Sequence, residues 1–291
     1  MILNVSGRTD VVAFYTEWFM NRYNAGFLDV RNPISPKLVN RIYFKDVDAI
    51  IFCTKNPRPI IKYLDKIDKK MLFHITLTPY KKDLEPNVIG KGNIINDIKK
   101  VSDIVGIDNI YIRYDPILIN DKYNINYHIN AFNHMCNLLN GYVKHIIISF
   151  IDEYKNTKKN KNILKNKELT KEDLKKIGTN FSKIAKNNNM TVQTCCENDY
   201  TEYGFIKEDC ISPNLAFKLT GKTNFKKWKS RSCNCVNMVD IGVYNTCPHF
   251  CKYCYANYDE NKVLKNIKNH VPSSTFLIGK SNYDDIIKVR K

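Results

Sequence analysis

The chain has 291 residues, 43% hydrophobic and 26% charged, with a formal net charge of +17. That length and balance exclude collagen-like, wholly disordered and coiled-coil chains, and they suit one large domain or two modest ones. No apolar run approaches the roughly 18 residues of a membrane span, and Met1 to Asp10 lacks a basic region followed by an apolar stretch, so a cytoplasmic protein without a membrane partner is expected.

In chain order, short apolar segments at 2–6, 49–54, 71–78, 109–114, 145–150 and 190–195 read as strands rich in Ile, Val, Phe and Tyr. Helical patterns follow at 12–25, 57–66, 93–105, 126–139 and 170–187. The last opens with Thr170 and Asp173 spaced for a capping box. Between them, the Lys/Asn-rich stretch 153–176 reads as a solvated loop or lid. Strands apolar on both faces that alternate with helices predict a parallel sheet covered by helices.

Polar residues recur just past each strand: Arg8 and Asp10, Lys55, Thr78 and Tyr80, Arg113 and Asp115, Asp152, and Glu197. In a (β/α) barrel these ends converge on one mouth, so the expected fold is α/β, a complete or partial (β/α) barrel. Residues 1–200 would form the barrel core, and 201–291 a cysteine-rich segment packed on its mouth. Arg8, Lys55 and Arg113 offer donors for a carboxylate or phosphate, while Asp10, Asp115 and Glu197 could balance them, bind hydroxyls or move protons. The plainer alternative is a closed salt-bridge network. Tyr80 and Tyr114 read as packing groups with a hydrogen-bonded tip.

The positive charge comprises 38 Lys and only 8 Arg. Arg is the better bidentate reader of bases and phosphates, so the skew favours solvated lysines over a dedicated nucleic-acid face. Nucleic acid stays open as a partner.

Eight of the ten cysteines lie beyond residue 194. In a reducing compartment a disulfide framework is not expected. Cys53 and Cys136 sit in apolar contexts and read as small core residues. Cys247, Cys251 and Cys254 are spaced C-x3-C-x2-C, so one loop offers three thiolates to a [4Fe–4S] cube and leaves the fourth iron open. A zinc site using His249 or a remote cysteine is the competing reading. Upstream, Cys195, Cys196, Cys210, Cys233 and Cys235 form a second group. Neighbours on a strand face opposite ways, so only one of Cys195 and Cys196 should point at a common site. Cys195, Cys210, Cys233 and Cys235 then remain as ligands for a second cluster or a zinc ion.

The loop, with Tyr253 before its last cysteine, resembles the radical S-adenosylmethionine superfamily. The whole chain also resembles a bacterial family of radical-SAM-like proteins catalogued as a domain of unknown function. That likeness runs through Ser6 to Asp10, Thr54 to Pro57, Glu85 to Asn87, Arg113 to Ile117, Thr194 to Glu197 and Asp240 to Asn257. It implies an iron–sulfur enzyme that cleaves S-adenosylmethionine reductively to a 5′-deoxyadenosyl radical, with the electron supplied by a flavodoxin- or ferredoxin-type donor. In that picture Tyr253, Thr78 and Asn257 would contact the cofactor. The superfamily usually carries its cysteine loop after the first strand, whereas here it lies about forty residues from the end. No Gly-Gly-Glu run follows a second strand. The alternative is a metal-stabilised nucleic-acid-binding or repair protein without this chemistry.

Overall fold

The computed structural model describes residues 1–229 and 233–290. Its first part runs β1 (Ile2–Val5), α1 (Val11–Phe14), α2 (Thr16–Ala25), β2 (Phe27–Arg31), β3 (Leu38–Tyr43), β4 (Ala49–Thr54) and α3 (Arg58–Ile61). Next come β5 (Lys70–Thr76), α4 (Lys91–Val105), β6 (Ile110–Arg113), α5 (Ile125–Leu139), β7 (His145–Ile148), α6 (Lys155–Lys159), α7 (Lys161–Leu164) and α8 (Lys171–Asn187). The last part holds β8 (Thr191–Thr194), β9 (Ile206–Lys207), α9 (Pro213–Thr220), β10 (Val239–Asp240), α10 (Glu260–Lys268) and β11 (Ile286–Val289).

Eight strands form one sheet in the order β10-β1-β4-β5-β6-β7-β8-β9, every pairing parallel. The edge strands β10 and β9 hold two residues each, and among the described residues they do not pair with each other. Closing a barrel needs a ladder between its two edges. The fold is therefore α/β with an open eight-stranded parallel sheet, and the complete barrel does not form. A second sheet, β11-β3-β2, has no counterpart in the sequence reading. It is pinned by the buried Asp29, whose carboxylate accepts from Arg41 Nε at 2.8 Å and Nη2 at 2.9 Å.

The strand period of two sends alternate residues to opposite faces. Leu3, Val5, Ile50, Phe52, Phe73, Ile75, Ile110 and Ile112 face the helices. Ile2, Ala49, Ile51, Leu72, Tyr111 and Ile147 face the other way, against Leu215, Ala216 and Leu219 of α9. Each large apolar side chain buried in this way contributes about 1.5–3 kcal/mol relative to exposure. Two-sided burial explains why these strands read as unbroken apolar runs.

The first expected helix is split. Asp10 caps α1 by accepting from Ala13 N at 2.9 Å, and Tyr15 then leaves the helical region. Its hydroxyl donates to the carbonyl of Thr246 at 2.5 Å, beside the cysteine loop. The segment expected as a solvated lid instead contains α6 and α7, with Asn156, Thr157 and Leu164 buried. The Thr170 capping box is present as expected.

Gly242 follows β10 where the chain presses on β1. A Cβ there would lie 1.9 Å from Ser6 Oγ, which is itself fixed by donating to Asp240 Oδ1 at 2.8 Å. Only glycine permits that approach.

Tyr80 and Tyr114 pack as expected. Tyr80 donates to Pro116 O at 2.7 Å, and the Tyr114 hydroxyl meets His128 Nδ1 at 3.0 Å. His128 is fully buried, with Nε2 3.0 Å from Leu118 O, and burial pulls its pKa down from 6.5 to about 4. The unfolded chain therefore binds a proton near pH 6.5 that the folded chain refuses until about pH 4. Stability from this group is complete above pH 6.5 and is lost as the pH falls towards 4, at about 1.4 kcal/mol per unit. Urea unfolding at pH 7 and pH 5 should show the lower midpoint at pH 5. The difference should shrink in His128→Asn, which cannot take up the proton.

Candidate metal and active site

Because all eight main-sheet strands are parallel, their C-terminal ends share one side of the molecule. There Asp10, Lys55, Thr78 and the loop 247–254 come together. Asp10 Oδ2 accepts from Lys55 N at 2.8 Å and from His249 Nε2 at 3.0 Å. With the helix cap already described, both carboxylate oxygens are occupied in positioning. His249 Nδ1 is buried and has no hydrogen-bond partner among the described residues.

The centre of this region is Glu85, 1% exposed, which the sequence reading did not select. It accepts from Lys55 Nζ at 2.8 Å and from Thr78 Oγ1 at 2.6 Å, and also from Lys91 and the Tyr253 hydroxyl. Burial opposes its charge, but Lys55 and Lys91 outweigh burial and hold the carboxyl at about 2. Burial likewise opposes the Lys55 charge, and Glu85, Cys251 and Asp115 overcome it to raise its pKa. The Lys55 ammonium stands 5.4 Å from the centroid of the Tyr253 ring. Thr78 and Tyr253 thus converge on the loop through Glu85. The Glu-Pro-Asn stretch at 85–87 was the only sequence signal for Glu85, since its four donors come from separate parts of the chain.

Burial is the largest pressure on all three loop thiols. It pushes Cys247 up, with Asp10, Cys254 and Cys251 adding to it, and the His249 N–H opposing. Cys251 is pushed up to about 12, with Lys55 opposing and Glu85 and Cys254 adding. Cys254 is raised by burial against the Ala256 and Asn257 N–H groups, and Ala256 N lies 3.3 Å from its sulfur. Three thiolates held this close, one buried and two half-buried, are stable together only around added positive charge. N–H donors aimed at the sulfurs, Lys55 beside them and the orphaned His249 Nδ1 make this a fitting seat for a metal cluster. Asn257 lies behind the loop, donating to Cys247 O at 2.6 Å, so it braces the motif.

The loop is clamped from many sides. Asn87 Nδ2 donates to Pro248 O at 2.8 Å, Lys252 N to Leu84 O at 2.9 Å, Asn160 Nδ2 to Lys252 O at 2.5 Å, and Asn156 Nδ2 to Tyr255 O at 3.0 Å.

The remaining candidates divide. Arg113 Nε donates to Asp115 Oδ1 at 3.3 Å, and Nη2 to Oδ2. Burial works against the Arg113 charge, and Asp115, Cys195 and Cys210 hold it in place. Glu197 accepts from Phe150 N at 2.8 Å, and burial pushes it up to about 7. Arg8 stands apart, stacked on Tyr244 with 5.6 Å between guanidinium and ring centroid. It lines a cavity of about 210 Å³ with Arg31 and Arg290 near the second sheet.

Cys136 is buried in the core as expected, whereas Cys53 is half-buried beside the second cysteine group and 3.3 Å from Asn4 Oδ1. Cys195 is buried and Cys196 exposed, as expected, but the reason is not strand alternation. β8 stops at Thr194 and Cys196 adopts a left-handed φ of 59°, so strand alternation no longer applies and both thiols act on their neighbours.

No helix among the described residues is long and apolar enough to cross a membrane. No curated protein matches the chain. Among solved structures it is similar to D-psicose 3-epimerase from Clostridium cellulolyticum H10, solved with D-tagatose, at 11% identity and a TM-score of 0.41, covering 91% of this chain and 94% of that one. It is also similar to a candidate alpha-L-fucosidase from Bacteroides thetaiotaomicron VPI-5482, at 13% identity and a TM-score of 0.29, covering 70% and 78%. A family model described as Domain of unknown function (DUF1848) matches residues 2–256, and the chain belongs to that family.

Proposed function

We propose that the chain is a radical S-adenosylmethionine enzyme whose [4Fe–4S] cluster is held by Cys247, Cys251 and Cys254. The observation that carries the reading is three cysteines on one clamped loop of eight residues, at the sheet end where Asp10, Lys55 and Glu85 gather. Three thiolates leave one corner of a cube for the amino and carboxylate groups of S-adenosylmethionine. When bound, the cluster and its cofactor supply a one-electron cleavage of the sulfonium to methionine and a 5′-deoxyadenosyl radical.

The chain's own residues bind, orient and exclude water. Lys55 offsets the charge of Cys251 and Glu85, and the Glu85 hydrogen bonds fix Tyr253 beside the cysteines. His249 keeps a free ring nitrogen within the loop. Asp10 sets the ring's direction through its bond to Nε2. Arg113 and Asp115, already paired, are the charged groups offered to a carboxylate, phosphate or hydroxyl of the substrate. A net charge of +17 suits docking of an acidic flavodoxin- or ferredoxin-type donor.

The test is anaerobic reconstitution with iron and sulfide, followed by dithionite and S-adenosylmethionine. The expected result is 5′-deoxyadenosine, together with an electron paramagnetic resonance spectrum that changes when S-adenosylmethionine is added. Fully loaded protein that gives neither overturns the reading.

A further inference from the structure

The five upstream cysteines make a separate centre on the face of the sheet away from the main helices. Cys195, Cys210, Cys233 and Cys235 are all buried there, packed with Ile51, Leu72 and α9. Cys210 and Cys235 bring their sulfurs to 3.3 Å. Cys195 acts on Cys196, Cys210 and Cys235, and Cys196 acts on Cys233. The Asp209 carboxylate and the thiols of Cys233 and Cys235 lie within 4.8 Å of one another.

We infer that this nest binds a single zinc-type ion through Cys195, Cys210, Cys233 and Cys235, with Cys196 and Asp209 at its rim. Four sulfurs at about 2.3 Å from one tetrahedral ion stand about 3.8 Å apart, close to the observed Cys210–Cys235 spacing. A cube assigns each sulfur to a different iron and therefore spreads its ligands more widely. Electrostatics agree. A zinc ion with four thiolates carries roughly two net negative charges. The half-buried guanidinium of Arg113, paired with Asp115, is also drawn to Cys195 and Cys210 and contributes countercharge. The ligands also come from three distant points: the end of β8, the residue two before the α9 cap Ser212, and the approach to β10. One ion would fasten the segment that covers this face of the sheet to the strand it covers. That fastening would add to the apolar packing of Leu215, Ala216 and Leu219 on the sheet.

The inference is independent of the cluster proposed for Cys247, Cys251 and Cys254. Zinc, iron and sulfide are measured on full-length protein purified without oxygen from cells supplied with both metals, and the zinc environment is read by X-ray absorption. The expected result is about one zinc per chain with four sulfur neighbours near 2.3 Å. Cys210→Ser should lose most of that zinc while keeping the iron of the other loop, and Cys251→Ala should do the reverse. A zinc content near zero, a second set of iron and sulfide at this position, or a Cys210–Cys235 disulfide in the isolated protein would each overturn it. If Cys210→Ser fails to fold, the absorption spectrum of the unaltered protein still decides. Zinc on four sulfurs without any S-adenosylmethionine cleavage would leave this site standing and remove only the proposed activity.

Discussion

Cys251→Ala is expected to empty the C-terminal loop of iron and abolish 5′-deoxyadenosine formation while the sheet stays folded. A site built on three thiolates has none to spare, and loss of one leaves two irons of a cube without protein ligands. The substitution deletes a half-buried thiol from a loop held by backbone contacts on both sides of it, so the fold should lose little. Iron should fall from about four per loop to near zero. The far-ultraviolet circular dichroism should be unchanged, and the melting temperature should move by only a few degrees. Retention of iron and activity would show that the three thiols are not the ligands. Global unfolding would be separated from specific loss by the zinc content, which the variant should keep.

Glu85→Gln is expected to produce the largest stability loss of any single polar substitution near the site. The carboxylate is 1% exposed and accepts from Lys55, Lys91, Thr78 and Tyr253. Glutamine removes the charge and turns one acceptor into a donor, stranding two ammonium groups. Breaking a buried pair in this way costs about 3–5 kcal/mol. The carboxyl's pKa gives an independent figure of the same size. Lowering it from 4.5 to about 2 corresponds to about 3 kcal/mol at neutral pH. The sign follows from the depressed value. The contribution is complete above pH 4.5 and is lost as the pH falls through 2, so the gap between wild type and Glu85→Gln should close in acid. Thermal melts should show a drop of about 10 °C at pH 7. Tyr253 and Lys55 would also lose their fixed positions, so iron loading should weaken together with stability. An unchanged melting temperature would sink the account of Glu85 as the hub.

The six inner strands of the main sheet were legible because each is buried on both faces, so neither face interrupts the apolar run. β2 and β3 were missed because the buried Asp29 and its partner Arg41 break the apolar pattern of a small sheet that is otherwise half solvated. β9 and β10 are two residues long and carry no period to detect. The cysteine loop was legible from spacing alone, since its three thiols lie within eight residues. The charged hub was not. Glu85 becomes central only when the fold brings Lys55, Lys91 and Tyr253 to it, and single-chain spacing holds no trace of that meeting. Cys196 was set aside by a strand rule that holds only while the strand lasts, and β8 ends two residues earlier.

The clamps on the loop have a bearing on how the protein matures. Asp10, Tyr15, Leu84, Asn87, Asn156 and Asn160 are all synthesised well before Thr246 to Tyr255, and each is tied to that later stretch. Nascent chains acquire structure from the N-terminal side. The receiving surface can therefore be assembled on the ribosome before the thiols emerge, so that any metal held there would enter last. An interrupted chain would carry the scaffold without the three thiols.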